Sequence, residues 1–200
     1  MKFVLASQNP KKLLEMRAVL SAVGVEVISQ EEAGVNIDPE ETGDTFEENA
    51  VIKAKAVMEA SGLPAVSDDS GLVVDALGGA PGVHSARYTG DHNDSDEARY
   101  RLLLENMKNV KQRSAKFVSY AAIAFPNGDV ITACGTCSGS IALAPRGSGG
   151  FGYDPVFLLP DGRMMSELSA DEKNAVSHRA AALTALKKKL TEYNTEHADK

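Results

Sequence analysis

The sequence predicts an α/β protein built around a mixed β-sheet, in which parallel and antiparallel strands occur together. In its first half, short apolar runs alternate with segments that carry apolar residues at helical spacing, which is typical of strands joined by helices. Further along, two β-type runs over 116–125 and 129–137 are joined by Pro126-Asn127-Gly128. Because Asn-Gly between two such runs favours a tight hairpin, these strands should be antiparallel.

Length, charge and hydropathy narrow the class of protein. A chain of 200 residues with 43% hydrophobic residues fits a single domain over 1–200, which we expect to end in a polar tail at 194–200. The net charge of −7 argues against binding to nucleic acid polymers, whose backbone needs a basic protein face. The first apolar run is too short for a signal peptide, and no stretch approaches a membrane span. We therefore expect a cytoplasmic protein with no membrane partner.

The first strand, over 3–6, leads into the loop Ser7-Gln8-Asn9-Pro10-Lys11-Lys12 and then into a helix that Gly24 can end. Free amides at a helix start, together with a nearby lysine, attract an anion. Ser7 and Asn9 can add hydrogen bonds from their side chains. The loop lacks a glycine-rich phosphate-binding pattern, so an ordinary strand–loop–helix with solvated lysines is the alternative.

An acidic loop that contains Glu40 and Glu41 precedes the second helix, so one of these acids can reach a site that the helix borders. Thr45, with Glu48 three residues later, forms a capping box, and Gly62 ends the helix. Lys53 and Lys55 point about 200° apart on this helix, so one should face a site and the other water.

Two adjacent acids lie in Ser67-Asp68-Asp69-Ser70-Gly71, between two short apolar runs, and the pattern predicts a strand that ends, turns and resumes. Side chains in a strand alternate faces, so only one acid should face a shared site, and we choose Asp69. Repulsion between the acids is on the order of a few kcal/mol at 4 Å, which a divalent cation would relieve. The alternative is an Asx turn in which both acids accept hydrogen bonds from backbone amides.

The segment Gly147 to Gly152 satisfies the pattern G-x-G-x-x-G, but a strand-like run, Tyr153 to Leu159, follows it. Since a dinucleotide-binding fold needs a helix there, we reject that interpretation. A flexible glycine loop that presents the ring of Phe151 remains, and such a ring can stack on a nucleobase or pack in the core. A second capping box, at Ser169, starts a helical segment on which Lys173, His178 and Arg179 offer donors to an anion.

Cys134 and Cys137 form a Cys-x-x-Cys pattern inside a β-type run. Positions three apart in a strand face opposite ways, and the chain has no second cysteine pair to complete a four-ligand zinc site. We therefore expect two reduced, structural thiols.

Taken together and in order, seven segments resemble the Ham1/RdgB family of inosine/xanthosine triphosphate pyrophosphatases. These segments are Ser7-Gln8-Asn9-Pro10-Lys11-Lys12, Glu40-Glu41-Thr42-Gly43, Phe46 with Asn49-Ala50 and Lys53, Ser67-Asp68-Asp69-Ser70-Gly71, Gly78-Gly79-Ala80-Pro81-Gly82 with Ser85-Ala86-Arg87, Gly149-Gly150-Phe151-Gly152-Tyr153-Asp154, and Lys173 with Ser177-His178-Arg179. The resemblance implies Mg²⁺-dependent hydrolysis of purine nucleoside triphosphates with a 6-keto base to the monophosphate and pyrophosphate. It also implies an elongated mixed α/β fold with two lobes around a central cleft, and a homodimer.

The resemblance further implies a role for individual residues. The triphosphate would be bound by Lys53 and the first loop, Ser7, Gln8, Asn9, Pro10, Lys11 and Lys12, while Ser70 would contact the nucleotide. Phe151 would stack on the base, whose pocket would be lined by Gly152, Tyr153, Asp154, Lys173, His178 and Arg179. Glu40 and Asp69 would bind Mg²⁺, with Asp69 also the catalytic group that activates water; the neighbouring Glu41 is the alternative ligand. The first motif departs from the family's more common Thr-Gly-Asn, because Gln8 narrows the room beside the phosphates.

Two other functions compete with this one. A pyrophosphatase of the Maf type, which acts on pyrimidine or modified nucleotides, should lack the segments Phe151-Gly152-Tyr153-Asp154 and Ser177-His178-Arg179 that this chain contains. A nucleotide-binding module without turnover would keep the same pocket but release no pyrophosphate. An aspartyl-phosphate phosphatase is excluded, because it needs an Asp-x-Asp motif after a strand. Two positions after Asp68 the chain has Ser70, and two positions after Asp69 it has Gly71.

Overall fold

A computed structural model describes residues 1–91 and 93–197. Its six strands form one sheet: β1 (Lys2–Leu5), β2 (Glu26–Ile28), β3 (Ala65–Val74), β4 (Ser114–Ala124), β5 (Val130–Ile141) and β6 (Phe157–Leu158). The strand order is β2-β1-β3-β4-β5-β6. β1 is parallel to β2 and β3, whereas β5 is antiparallel to β6. The mixed sheet that the sequence predicts is confirmed.

Five α-helices accompany the sheet in the described part of the chain: α1 (Pro10–Leu20), α2 (Phe46–Ser61), α3 (Asp96–Asn106), α4 (Ala170–Val176) and α5 (His178–His197). The predicted caps of α2 are confirmed, with Thr45 and Glu48 in a capping box and Gly62 left-handed at φ 69°. Ser177, in an extended conformation, separates α4 from α5. Residues 194–197, expected in a polar tail, are instead helical, and 198–200 lie outside the described residues. None of the helices described is long and apolar enough to cross a bilayer.

The described residues group into two compact units. Unit 1 takes its residues from Met1–Asp69, Ser119–Gly135 and Ala181–Lys200, and unit 2 from Ser70–Val118 and Thr136–Ala180. The boundary therefore crosses β3 between Asp69 and Ser70. β4 and β5 also contribute residues to both units.

Each unit has its own apolar core. In unit 1, side chains from β1, α1 and α5 pack together because the apolar positions of each helix recur on one face; they include Phe3, Leu5, Met16, Leu20, Leu183 and Leu186. A smaller cluster consists of buried alanines from α2 and β4. In unit 2, the core includes Leu72, Leu103, Met107, Phe117 and Phe157. The rings of Phe117 and Phe157 lie 4.4 Å apart.

Two local predictions were wrong. β3 does not turn at Ser67-Asp68-Asp69-Ser70-Gly71 but continues through it, because the polar side chains find partners in neighbouring helices and need no turn to satisfy them. The run from Tyr153 to Leu159 is mostly not a strand. A short 3₁₀ helix occupies Asp154–Val156, where Pro155 lacks the N–H that a strand would use, and β6 has only two residues.

Candidate functional site

The loop between β1 and α1 is held by its own side chains. Asn9, the N-cap of α1, accepts a hydrogen bond from the Lys11 N–H at 2.9 Å, and Ser7 Oγ accepts one from the Asn9 N–H at 3.2 Å. Gln8 Nε2 donates to Asn36 Oδ1 at 3.0 Å. Ser7, Gln8, Asn9 and Pro10 line a groove of ≈ 740 Å³ in unit 1, and Lys11, the next residue, is exposed.

Lys12, in the first turn of α1, forms an ion pair with Asp68 of β3, with 2.8 Å between Lys12 Nζ and Asp68 Oδ1. The Asp68 side chain is fully buried, and that of Lys12 is one-fifth exposed. A buried carboxylate is stabilised by such a pairing, and the ammonium is in turn held at the start of the helix. β3 runs without a break through Asp68 and Asp69, so their side chains alternate faces, as the sequence predicts, and each pairs with a lysine from a different helix.

Lys53 of α2 lies between two carboxylates, those of Glu41 and Asp69. Its Nζ donates to Glu41 Oε1 at 2.6 Å and to Asp69 Oδ1 at 3.0 Å. The side chains of Lys53 and Asp69 are each 12% exposed. Lys55, two residues further along, is exposed to solvent, in agreement with the prediction that only one of these two lysines faces a site. We call Glu41, Lys53 and Asp69 the charged cluster.

Burial and mutual attraction set the ionisation of the charged cluster. Burial alone would lower the pKa of Lys53, but the carboxylates of Asp69 and Glu41 raise it above its ordinary value. Burial raises the pKa of Asp69; Lys53 opposes that rise and the nearby Glu41 carboxylate adds to it. Lys53 therefore stays a cation, while Asp69 is a stronger base than an exposed aspartate.

Of the two glutamates in the acidic loop, the structure brings Glu41 and not Glu40 into the charged cluster, and Glu40 is exposed. Among the described residues, no group of three or more His, Cys, Asp or Glu side chains forms a ready-made metal site. The carboxylates of Glu41 and Asp69 nevertheless converge on one cationic group. Such a pair of oxygen donors could hold a hard divalent cation that takes its other ligands from water or a bound ligand.

In unit 2, the glycine loop presents Phe151 to solvent, with 54% of the residue exposed. Lys173 Nζ lies 4.2 Å from the centroid of this ring and 2.5 Å from Asp154 Oδ2. The same carboxylate oxygen accepts a hydrogen bond from the Phe151 N–H at 2.8 Å. Gly150 has φ 78°, and a Cβ there would overlap the Asp154 carboxylate, so glycine is required at this point of the loop.

Asp96, in the first turn of α3, anchors the glycine loop, and sequence reasoning missed it. Its Oδ2 accepts a hydrogen bond from the Gly152 N–H at 2.6 Å, and its Oδ1 pairs with Arg99. Partial burial opposes ionisation, but the Gly152 N–H and Arg99 together lower the pKa of Asp96. The sequence marks Asp96 only as an acid one residue after the N-cap Ser95, which explains the omission.

Tyr153 is buried, and its hydroxyl donates to Ser85 O at 2.8 Å.

The other predicted residues of unit 2 lie at the start of α5 and within β3. His178 begins α5 and stacks on Phe117, with ring centroids 4.9 Å apart and an interplanar angle of 16°. Arg179 follows it and is half-buried, and Ser70 is a half-buried residue of β3. Unit 1 thus contains the loop from Ser7 to Lys12 and the charged cluster, and unit 2 contains Phe151 with its neighbours Asp154 and Lys173. Cys134 is exposed, Cys137 is buried, and both are free thiols, as the sequence predicts.

Known proteins share this sequence and fold. The model of the Ham1 family matches residues 3–189. A dITP/XTP pyrophosphatase of Symbiobacterium thermophilum is 47% identical over 191 residues, which cover 94% of each chain. A dITP/XTP pyrophosphatase of Geobacillus kaustophilus is 50% identical over 189 residues, 92% of each chain.

Two solved structures agree with these sequence matches. The Ham1 protein of Staphylococcus aureus aligns with a TM-score of 0.90 at 39% identity, covering 96% of this chain and 100% of that one. A HAM1 protein of Coxiella burnetii aligns with a TM-score of 0.90 at 45% identity, covering 96% of this chain and 99% of that one. The match thus extends over nearly all of the sequence, and the chain belongs to the Ham1 family.

Proposed function

We propose that this chain hydrolyses purine nucleoside triphosphates with a 6-keto base, dITP, ITP and XTP, to the monophosphate and pyrophosphate. The observation that carries the proposal is the charged cluster, in which a buried lysine lies between two carboxylates next to a phosphate-type loop of the same unit. The names of the relatives, dITP/XTP pyrophosphatases, support the choice of substrate.

The lysine side chains of unit 1 can neutralise the negative charge of a triphosphate. A nucleoside triphosphate carries about four negative charges, so attack by water on phosphorus needs positive groups that neutralise the phosphate oxygens. Lys12 and Lys53 supply two such groups, and both are held in place by carboxylates. The positive end of the α1 dipole, at the start of that helix, favours the same oxygens.

The donor set of the charged cluster fits Mg²⁺, which binds through one or two protein carboxylates and completes its shell with water and substrate phosphates. We propose Glu41 and Asp69 as these ligands, with Glu41 in place of the Glu40 that the resemblance implies, because Glu40 is exposed and Glu41 meets Lys53. When bound, the ion would act as a Lewis acid that withdraws negative charge from the phosphate oxygens.

Asp69 has the properties of the general base. Burial raises its pKa, which strengthens it as a proton acceptor. Asp69 takes a proton from a water molecule as the water oxygen bonds to the α-phosphorus. The bond from that phosphorus to the bridging oxygen breaks, and pyrophosphate leaves with the bonding electrons. The nucleoside monophosphate is the second product.

Unit 2 supplies residues suited to a purine base. The exposed ring of Phe151 offers a face for stacking, and Lys173, His178 and Arg179 offer donors to a C6 oxygen. The amino group of adenine is itself a donor at that position, so it would leave such a protein group without an acceptor. A mismatch of this kind costs roughly 1–3 kcal/mol, which disfavours ATP.

The test is the initial rate of pyrophosphate release from dITP, ITP, XTP, GTP, ATP and modified pyrimidine triphosphates, each with Mg²⁺. We expect the deaminated purines to be hydrolysed fastest, and chelation of divalent ions to stop the reaction. Asp69→Asn should abolish turnover while nucleotide affinity stays within about tenfold, since a neutral amide keeps the shape but not the basicity. Equal rates with ATP, or preference for a pyrimidine, would overturn the proposal.

We also propose that the chain is a single functional domain and forms a homodimer in solution. Light scattering after size-exclusion chromatography tests the oligomeric state.

A further inference from the structure

Asn49, in the first turn and a half of α2, is fully buried and contacts the loop that carries Glu41. Its Oδ1 accepts a hydrogen bond from the Gly43 N–H at 2.8 Å. Gly43 follows Glu41 by two residues, so this bond fixes the backbone close to the point at which Glu41 reaches Lys53. The sequence marks Asn49 as part of a motif but assigns it no role.

The contact between Gly43 and Asn49 is close. A Cβ on Gly43 would lie 2.7 Å from Glu48 Cβ and 2.8 Å from Asn49 Oδ1, nearer than real side-chain carbons come. The loop backbone therefore lies directly on the helix, and only glycine permits this approach. A shift of the loop away from α2 would have to break the bond to Asn49.

The same turn of α2 is also tied to the strand that carries Asp69. Ser67 Oγ donates to the Ala50 carbonyl oxygen at 2.5 Å, and both residues are fully buried. Ser67 precedes Asp69 by two residues, so their side chains lie on the same face of β3. Asn49 precedes Lys53 by four residues, so those two side chains lie on the same face of α2. Neutral hydrogen bonds thus connect α2 to both segments that supply acids to the charged cluster.

Stability alone does not explain why an asparagine occupies position 49. Its Nδ2 is buried and has no hydrogen-bond partner among the residues that the structure describes. Burying an amide donor without a partner is unfavourable, and an apolar residue of similar size would avoid that cost. The oxygen, by contrast, has one specific acceptor role, toward Gly43.

We propose that Asn49 is a positioning residue, which acts through the Gly43 N–H to hold the Glu41 carboxylate against Lys53 and beside Asp69. It touches neither substrate nor metal in this role. The expected change in kcat rests on the proposed function, whereas the expected loss of hydrogen-exchange protection at the Gly43 amide does not.

A double-mutant cycle tests the proposal. Asn49→Ala should lower kcat for dITP and weaken Mg²⁺ binding, measured by calorimetry without nucleotide, by about 10- to 100-fold, as is usual when the support of a metal ligand is removed. In the Glu41→Gln background, the same change should have an effect below about twofold, because the group that Asn49 positions has already been altered. Equal effects of Asn49→Ala in both backgrounds would overturn the proposal.

Two further variants separate positioning from folding. Asn49→Asp keeps an acceptor oxygen for Gly43 and should retain more Mg²⁺ affinity than Asn49→Ala at a matched thermal stability. Ser61→Ala removes a hydrogen bond to Val57 O near the other end of α2 and should leave kcat unchanged. If Ser61→Ala lowers kcat as much as Asn49→Ala, a general loosening of the helix explains both and the proposal is wrong.

Amide hydrogen exchange distinguishes the failure of this proposal from the failure of the proposed function. The Gly43 amide should be protected in the wild-type protein and lose protection in Asn49→Ala. If no nucleotide is hydrolysed but Gly43 loses protection and Mg²⁺ affinity falls, the positioning role holds and only the reaction was misassigned. If Gly43 exchanges equally fast in both proteins, Asn49 does not hold the loop.

Discussion

Phe151 is a large apolar side chain that the fold leaves exposed, and this suits a residue that binds rather than packs. Lys173 Nζ lies over its ring, and 54% of the residue is nevertheless exposed. We predict that Phe151→Ala raises KM for dITP by roughly 5- to 150-fold with little change in kcat, because stacking contributes ~1–3 kcal/mol per base. Steady-state kinetics with dITP check this.

The matched control for Phe151 is Leu143, which is 83% exposed and belongs to the same unit. Leu143→Ala removes exposed apolar surface without touching the glycine loop and should leave KM unchanged. If Phe151→Ala also leaves KM unchanged, the ring serves the packing of its own loop and not the base.

How far single residues could be predicted depended on whether they lie in a regular element. Helical geometry predicted that Lys53 and Lys55 point apart, and the resemblance selected Lys53. Glu40 and Glu41 were not separable, since an irregular loop has no period that fixes which side chain turns inward. Asp96 could not be found at all, because its partner Gly152 is 56 residues away and nothing local marks the pairing.

At the scale of elements, caps were predicted well and strand continuity was not. Thr45 and Ser169 cap their helices through residues only three positions away, so the signal is local. The break predicted in β3 followed from a run of polar residues that would be costly to bury without partners. Those partners, Lys12, Ala50 O and Lys53, come from two helices, and the sequence does not show that they converge on the strand.

The capping box of α4 predicts a pH dependence of stability. Hydrogen bonds from the Ser169 N–H and hydroxyl, with a further contribution from Arg163, lower the pKa of Glu172 to about 2. An unfolded glutamate has a pKa of about 4.3, so the folded protein gains stability above that pH and loses it as the pH falls toward 2. We predict that Glu172→Gln reduces the fall in Tm between about pH 5 and pH 3, measured at low salt because exposed charges are screened.

Asp171 provides the comparison for Glu172. It is an exposed acid in the same first turn of α4, so Asp171→Asn removes the same charge without the capping hydrogen bonds. This variant should keep the wild-type dependence of Tm on pH. If the Tm of Glu172→Gln falls with pH as steeply as that of the wild-type protein, the cap does not contribute to the loss of stability in acid.

At the scale of the whole molecule, each unit depends on its own apolar core. Leu186 in unit 1 and Leu103 in unit 2 are both fully buried. We predict that Leu186→Ala and Leu103→Ala each lower the free energy of unfolding by about 2–5 kcal/mol, since each leaves a cavity in a packed core. Chemical denaturation monitored by circular dichroism measures the loss.

Exposed leucines provide the contrast with these cores. Leu14 is 66% exposed, and Leu14→Ala should change the free energy of unfolding by less than about 0.5 kcal/mol. A loss as large as that of Leu186→Ala would show that the apolar surface of α1 is covered in solution.

The mixed sheet was predictable because both of its signals are short-range, the alternation of strands with helices and the turn at Asn127-Gly128. The resemblance implies two lobes, but no local signal predicts where the two units divide, because their boundary has no linker composition. It falls between Asp69 and Ser70, inside one continuous strand, and the short polar run there predicts a turn and not a linker between domains.

That boundary has a consequence for how the gene can be rearranged. Unit 1 is assembled from three stretches of chain and unit 2 from two, so no single cut separates them. A chimaera made by one crossover between two relatives would mix parentage inside at least one core, whereas a clean exchange of unit 2 needs replacement of both of its stretches. Recombination should therefore preserve the chain as one inherited block.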